Sequence, residues 1–258
     1  MIFSLNKKLQ YLLSNLLLIA AILTCLLVVG CSEDDVQPKP PSTSLNKIMP
    51  LGASRVEGAR PEFESFRYEL WKLLVEGGWD FDYIGSQTDE TSYSNFSNMT
   101  FDTDHEGRGG WTSDQILEGI EGWLDAVGNP DIVLFSSPGG NDILNGVSSV
   151  DGAVSNVNAI IDILQQRNPN VTIIIEELAP GKSSFMTAQF TANFMAMQEE
   201  VRSIAVAQTT STSQVLTVDM FTGFDDSLLA DDVHYNEAGA KFIADRYEAV
   251  LKDVLKIE

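Results

Sequence analysis

The amino-acid sequence predicts an α/β domain, that is, a parallel β-sheet with helices packed on both faces. Segments with the patterns of strands and of helices alternate from residue 47 onward, and such alternation is typical of parallel sheets. The strand segments are continuous apolar runs, which indicates that both faces of the sheet are covered. The 258 residues allow one large domain or two small ones, and no internal repeat or second domain boundary interrupts the folded part.

Five segments are predicted to be strands because they are short, apolar and bounded by turn residues. They cover residues 47–51, 81–84, 131–135, 171–175 and 214–220, and the fourth has the strongest strand pattern. Helices are predicted where apolar residues recur at helical spacing, over residues 66–75, 113–127, 150–166, 187–207 and 236–255. The first helix stops at two glycines, and the second begins at a capping Thr112 or Ser113. The polar, glycine-rich loop over 87–111 is long enough to suggest a function.

The charge and the residue types of the chain exclude several classes of partner and site. Sixteen Lys and Arg against 37 Asp and Glu give a net charge of -21, which opposes binding to nucleic acids and to anionic membrane surfaces. Cys25 and Cys31 both lie in the apolar N-terminal region, so the folded part has no disulfide and no thiolate metal site. With His105 and His234 as the only histidines, a histidine-rich zinc site is not expected. We predict neither a metal nor a cofactor.

Residues 1–31 have the pattern of a targeting segment rather than of a folded element. Lys7 and Lys8 give a positive start, residues 16–29 are apolar and uncharged, and the segment ends in Gly30-Cys31. This ending resembles a bacterial lipobox, in which the small residue before the cysteine permits cleavage of the signal peptide and the cysteine thiol is lipidated. The alternative is a signal anchor that is not cleaved.

The segment after Cys31 predicts a tether. Residues 32–45 are rich in Ser, Pro and acids, which is typical of a flexible linker, and the folded domain then covers 46–258. The acids of residues 33–35 resemble a surface-export tag, or they only solvate the tether. We expect a protein of the bacterial cell envelope that is lipid-anchored to the outer membrane and exposed at the surface. The anchor is its only expected membrane contact.

Four short stretches lie just after strand ends or at the start of the last helix. They are Gly52-Ala53-Ser54, Gly107 to Thr112, Gly139-Gly140-Asn141-Asp142 and Asp231 to His234. Each alone also fits an ordinary role, as turn glycines, as a helix cap or as an acidic helix start. Sites in parallel sheets form at the carboxyl ends of the strands, so their shared location indicates one site.

The last of these stretches has the residue types of an acyl-transfer site. Such a site needs a base that titrates near neutral pH and a carboxylate that fixes the base's tautomer. A tight turn can bring Asp231 back onto one ring nitrogen of His234. The other nitrogen would then face a nucleophile from elsewhere in the chain.

Together the four stretches resemble the motifs of the SGNH, or GDSL-type, hydrolases over about residues 46–255. The resemblance implies a flavodoxin-like three-layer α/β/α sandwich with a five-stranded parallel sheet. It implies Ser54 as the nucleophile of a triad with Asp231 and His234, and an oxyanion hole formed by the Ser54 and Gly110 N–H groups and the Asn141 side chain. The Gly-x-Ser-x-Gly motif of the α/β-hydrolases is absent.

The first motif departs from the family, which usually has Gly-Asp-Ser where this chain has Gly-Ala-Ser. The missing acid normally braces the nucleophile loop, so Ala53 puts the rigidity of the loop and the reaction rate in question rather than the mechanism. Arg55 is a candidate substrate contact, although a salt bridge to one of the many acids is the favoured interpretation. Trp111 is a second candidate substrate contact. His105 is predicted to lie in a polar loop near the mouth of the site, without EF-hand spacing.

Three further stretches, residues 48–52, 68–72 and 105–107, are most similar to carbohydrate esterases of the acetylxylan-esterase kind. The predicted function is a serine esterase that removes short acyl groups, above all acetyl, from an acylated polysaccharide or oligosaccharide. Two alternatives remain open. One is a weak or inactive domain that binds glycans as a surface lipoprotein, which Ala53 favours, and the other is a lipase or thioesterase on the same fold.

Overall fold

A parallel sheet forms the middle layer of the computed structural model, which describes residues 38–257. Its strands lie in the order β2-β1-β4-β5-β6, and a short β3 pairs with the far end of β1. All of these pairs are parallel. The strands are β1 (Lys47–Gly52), β2 (Asp82–Tyr83), β3 (Glu106–Gly107), β4 (Ile132–Phe135), β5 (Thr172–Glu177) and β6 (Gln214–Asp219).

Helices cover both faces of this sheet, as the apolar strand pattern predicts. They are α1 (Ser54–Glu57), α2 (Arg67–Glu76), α3 (Ser113–Val127), α4 (Gly140–Asn145), α5 (Val150–Arg167), α6 (Ala188–Gln208) and α7 (Glu237–Leu251), with a 3-10 helix at Asp226–Leu228. One core packs α3, α5 and α6 against the sheet, and the other packs α2 and α7. Alternate residues of one strand enter different cores, as Val133 and Leu134 do, so the three-layer fold is confirmed.

The predicted elements are present, with ends shifted by a few residues, except that α7 stops at Leu251 rather than at residue 255. Four elements of this fold were not predicted: α1, α4, β3 and the 3-10 helix. They contain four, six, two and three residues, which is too short for a hydrophobic period to become visible. The sheet therefore has six strands when β3 is counted.

The predicted signal peptide and Cys31 lie outside the described residues. Residues 38–45, the described part of the predicted linker, contain no helix or strand. They are nevertheless attached to the domain, because the Lys39 N–H donates to the Ala126 carbonyl and its ammonium pairs with Asp104. Within 38–257, no helix is both long and apolar enough to cross a membrane.

Candidate active site

Ser54, His234 and Asp231 form a continuous chain of hydrogen bonds. The Nε2 atom of His234 lies 2.9 Å from Ser54 Oγ, and its Nδ1 atom lies 2.7 Å from Asp231 Oδ2. Ser54 and His234 are 180 residues apart in the chain, and the fold brings them together where β1 ends and α7 begins. A serine, an imidazole and a carboxylate in this order can activate the serine hydroxyl as a nucleophile.

The turn at Asp231 forms because one oxygen of its carboxylate accepts hydrogen bonds from the backbone N–H groups two and three residues later. Asp231 Oδ1 accepts from the Val233 N–H at 2.9 Å and the His234 N–H at 2.8 Å, which leaves Oδ2 for the ring. Burial would raise the pKa of Asp231, but these hydrogen bonds and His234 lower it to about 2. Asp231 is therefore a carboxylate at any pH above about 4, and it favours the proton on Nδ1 of the ring.

Phe63 supports one face of the His234 imidazole. Its ring stacks on that of His234 with the centroids 3.9 Å apart and the planes 14° from parallel. The Glu64 N–H donates to the Tyr235 carbonyl, which ties the Phe63 segment to the histidine turn. Sequence reasoning missed Phe63, because it lies in no motif and its partner is distant in the chain.

Ser54 is the first residue of α1, directly after the end of β1. The chain turns there at Gly52, where an added Cβ would lie 2.9 Å from the Ser136 carbonyl oxygen, so only glycine allows the two loops to approach. Ala53 precedes the helix and lines the same cavity as Ser54.

Arg55 makes no ion pair among residues 38–257, so the favoured expectation of a salt bridge is wrong. Its guanidinium is buried and donates to three backbone carbonyls, Val233 at 2.9 Å, Ala179 at 2.8 Å and Pro180 at 3.1 Å, and to Ser137 Oγ at 3.3 Å. A sequence shows where the acidic side chains are, but it does not show which backbone carbonyls the fold places beside an arginine. Arg55 also lines the cavity beside Ser54, and its contact with a substrate stays a prediction.

A buried carboxylate, Glu176 at the end of β5, lies beneath the same loops. It accepts from the Ser137 N–H at 2.7 Å, from Ser136 Oγ at 3.0 Å and from the Tyr247 hydroxyl at 2.8 Å. Burial raises the pKa of Glu176, and the hydrogen bonds and the charge of Arg55 oppose that rise. The loops after β1, β4 and β5 and the last helix are therefore joined below the site.

A small cavity opens beside Ser54 on the β4 and β5 side. Its volume is about 40 Å³. Its walls are largely apolar and include Ile116, Leu144, Leu178, Phe194 and Trp111. Trp111, one of the candidate substrate contacts, thus lies at the site.

Asn141 lies in the wall of this cavity. Its side-chain amide donates one N–H to the Trp111 carbonyl at 2.8 Å, so a second N–H remains available. Asp142 is buried and accepts from the N–H and the hydroxyl of Ser113, at 2.9 and 2.7 Å. These bonds fix the start of α4, where Asn141 lies, against the start of α3.

Gly110 is exposed and adopts a left-handed φ of 78°. It does not line the cavity, although its neighbour Trp111 does. Within the described part of the chain, no hydrogen bond engages its N–H or that of Ser54. Both N–H groups are thus free donors, and their oxyanion role stays a prediction.

His105 is buried, and it lines a cleft beside Glu57, the last residue of α1. Its place near the mouth of the site stays a prediction. Its Nε2 lies 3.2 Å from Asp89 Oδ1, and its Nδ1 accepts from the Gly107 N–H at 3.0 Å. Burial and the charge of Arg67 lower the pKa of His105 to about 4. In the described region, no cluster of three or more metal-ligating side chains is present.

Comparison with known proteins identifies the family of the chain. The sequence model described as the GDSL-like Lipase/Acylhydrolase family matches residues 76–242, which is more than half of the chain and begins after the Gly-Ala-Ser stretch. No curated protein matches the chain by sequence.

Several solved structures share the fold over most of their length. An acetyl esterase mutant with acetate ion superimposes with a TM-score of 0.70 at 28% identity, over 81% of this chain and 97% of its own. A family 3 carbohydrate esterase from Talaromyces cellulolyticus gives the same four values. A family 3 carbohydrate esterase from Clostridium thermocellum gives a TM-score of 0.64 at 30% identity, over 82% of this chain and 99% of its own. With the family match and these neighbours, the chain belongs to the GDSL-like lipase/acylhydrolase family and is an acyl ester hydrolase.

Proposed function

We propose that this protein is a serine esterase that removes acetyl groups from an acetylated carbohydrate. The observation that supports the proposal is the hydrogen-bonded series Ser54, His234 and Asp231 beside a small cavity. The likeness to an acetyl esterase and to two family 3 carbohydrate esterases supports the choice of acyl group and of substrate class.

In the proposed mechanism Ser54 Oγ attacks the ester carbonyl carbon while its proton passes to His234 Nε2. The carbonyl oxygen becomes an oxyanion, which the Ser54 and Gly110 N–H groups and the free N–H of Asn141 stabilise. Collapse of this intermediate breaks the bond to the alcohol oxygen, which takes the proton from His234. Water then attacks the acyl-enzyme with His234 as base, and acetate and free Ser54 are released.

The size of the cavity supports a short acyl group. One water molecule needs about 10–15 Å³, so the cavity of about 40 Å³ has room for roughly three. An acetyl group fits such a space, whereas an octanoyl chain would need the apolar walls around Leu144 and Phe194 to move. Overpacking of that kind costs about 1–3 kcal/mol for even a small excess of volume.

The decisive experiment compares acetyl, butyryl and octanoyl esters of 1-naphthol as substrates. We expect kcat/KM to be highest for acetyl and to fall by at least about tenfold at octanoyl, because each 1.4 kcal/mol is a factor of ten. Ser54→Ala is the control, and it should abolish turnover of all three esters. A rate that rises with chain length would identify a lipase or thioesterase instead.

A glycan-binding domain with little activity is the second candidate, and Ala53 in place of the usual acid favours it. It predicts that the wild-type protein turns over none of the acyl esters and still binds the sugar in calorimetry. Turnover that disappears with Ser54→Ala would exclude it.

We also propose a lipid anchor at Cys31 that holds the protein at the outer membrane of a bacterial envelope. The basis is the Val-Val-Gly-Cys sequence at residues 28–31. In cells, Cys31→Ser should release the protein from the membrane fraction or leave the precursor uncleaved. Unchanged processing together with unchanged membrane retention would contradict the anchor.

A further inference from the structure

Two cavities of different chemistry lie on opposite sides of Ser54 at the carboxyl edge of the sheet. The small apolar cavity is bounded by the loops after β4 and β5, and a second cleft is bounded by α1 and the loop after β2. Since the strand order is β2-β1-β4-β5, the end of β1 and Ser54 lie between the two. An ester likewise has two halves, one on each side of the carbonyl carbon that Ser54 attacks.

From this arrangement we infer that the second cleft, the alcohol cleft, binds a neutral sugar unit on the alcohol side of the ester. The inference rests on the proposed function and adds the site that recognises the leaving group. The cleft has a volume of about 300 Å³, against about 40 Å³ for the small apolar cavity. Ligand clefts in proteins have volumes of roughly 300–1,000 Å³.

The alcohol cleft is close to the nucleophile. Glu57 lines it and lies three residues after Ser54 on α1, which is about 5 Å along a helix. Gly109 lies against the Glu57 carboxylate, so the cleft also borders the loop of Gly110. Ala59 lines the cleft as well, and it pairs with Phe63, which stacks on His234. A sugar in this cleft would therefore lie next to the reacting ester.

The inner wall of the alcohol cleft is rigid. Asp89 accepts from Arg67 Nη2 at 2.6 Å and from the Tyr93 hydroxyl at 2.6 Å, and its Oδ1 lies 3.2 Å from His105 Nε2. These hydrogen bonds lower the pKa of Asp89 to about 2 against the effect of burial, so it stays charged and paired with Arg67. Because Asp89 already has its hydrogen-bond partners, this wall can support a binding site without rearrangement.

The rim of the cleft has polar groups that the protein itself leaves unused. In the region of residues 38–257, no hydrogen bond or ion pair engages the side chains of Gln87, Thr88, Glu90 and Thr91. An amide, two hydroxyls and a carboxylate supply both donors and acceptors, which is what vicinal sugar hydroxyls require. An alkyl chain would leave these groups unpaired.

The charge of the cleft favours a neutral sugar over an acidic one. Its lining includes the carboxylates Glu57, Asp89 and Glu90 and only one cation, Arg60, which already pairs with Glu64. Carboxylates in the wall would repel the negative charge of a uronic acid or a sulfated sugar, whereas they accept hydrogen bonds from neutral hydroxyls.

The test removes two rim groups on the loop after β2, in the double variant Gln87→Ala and Glu90→Ala. We expect kcat/KM on mono-O-acetylated xylobiose to fall by about tenfold through KM, the loss of two ordinary hydrogen bonds. On 1-naphthyl acetate, whose alcohol has no sugar hydroxyls, kcat/KM should not change. The control is Glu118→Ala with Gln214→Ala, which removes the same two side-chain types at exposed positions elsewhere. It should change kcat/KM on neither substrate.

A second measurement uses free xylobiose as a competitive inhibitor of 1-naphthyl acetate hydrolysis. Its inhibition constant should rise about tenfold in the rim variant and stay constant in the control. Equal kcat/KM values of wild type and rim variant on acetylated xylobiose would overturn the alcohol cleft, as would an equal loss on both substrates. A wild type that hydrolyses neither ester would instead contradict the proposed function.

Discussion

Ser54, His234 and Asp231 depend on one another, because each hydrogen bond in the series positions the next group. His234 is held in three ways: by Asp231 at Nδ1, by its own backbone N–H and by the stacked ring of Phe63. In the proposed mechanism the ring needs no rearrangement before it accepts the serine proton.

We predict a fixed ranking of kcat losses on an acetyl ester. Ser54→Ala should lose on the order of a millionfold and His234→Ala about the same, because the two act as one unit. Asp231→Ala should lose less, on the order of ten-thousandfold. Asn141→Ala should lose roughly a hundred- to a thousandfold as one oxyanion donor disappears. Circular dichroism checks that each variant is folded, and wild-type turnover by Ser54→Ala would disprove the nucleophile.

The residues of this site differ in how far the sequence could predict them. Ser54, Asn141, Asp231 and His234 lie in short motifs, and the structure places all four around one cavity or one hydrogen-bond chain. Phe63 has no such motif, because its role depends on a contact across 171 positions of the chain.

At the scale of elements, the site is assembled from loops that Arg55 and Glu176 hold together. Arg55 comes from α1 and reaches the carbonyls of Ala179 and Val233, which lie after β5 and before α7. Glu176 binds the loop after β4 and the Tyr247 side chain of α7. In this chain the bracing that the usual acid at position 53 would supply can come from Arg55.

We predict that Arg55→Met lowers kcat on 1-naphthyl acetate by about a hundredfold with little change in KM. The substitution keeps most of the apolar stem and removes the donors that fix Ser54 relative to His234, and a shift of about 1 Å is enough for such a loss. Arg55→Lys should not restore the rate, because one ammonium cannot reach several carbonyls. Arg202→Met, on the exposed side of α6, is the control. An unchanged kcat in folded Arg55→Met would show that the loops are held without it.

A related prediction concerns the missing acid. If Arg55 already braces the loop, Ala53→Asp should leave kcat within about tenfold of wild type, because the added carboxylate supplies no bracing that the loop lacks. If the acid is needed, the same variant should raise kcat. Loss of folding or of activity would show that the loop is built around the small side chain at this position.

The longer elements were predictable because ten or more residues of a helix or four of a buried strand repeat an apolar pattern. The two-residue strand β3 and the four-residue helix α1 have too few residues for any period. They exist because neighbours hold them: β3 pairs with Leu51 and Gly52, and α1 begins where the β1 chain must turn. Tertiary contacts therefore decide those parts of the site that the sequence leaves undefined.

At the scale of the whole molecule, the buried His105 makes stability depend on pH. Its pKa is about 4 in the folded protein and 6.5 when unfolded, so between these values the unfolded chain binds the proton and the folded chain does not. Acidification from pH 6.5 to 4 should therefore remove roughly 3 kcal/mol of stability, which is fully present above pH 6.5.

The measurement is the free energy of urea unfolding of wild type and His105→Gln at several pH values. Glutamine can still accept from the Gly107 N–H and donate to Asp89, but it does not titrate. We expect the difference between the two proteins to be constant above pH 7 and to shift in favour of the variant by about 3 kcal/mol near pH 4. His234→Gln, the same change at the other histidine, should keep the His105 contribution. Parallel curves of unfolding free energy against pH for wild type and His105→Gln would refute the predicted effect of His105.

The two ends of the folded domain meet at the edge of the sheet that is remote from Ser54. Asn46, just before β1, donates to the carbonyls of Asp80 and Lys256 at 2.7 and 3.1 Å, and it accepts from the Lys256 N–H at 2.8 Å. A bead, a fusion partner or a display scaffold joined at either end would therefore sit behind the catalytic edge. The enzyme could be attached to a solid support by one end or the other and still present the small apolar cavity and the alcohol cleft to an insoluble polymer.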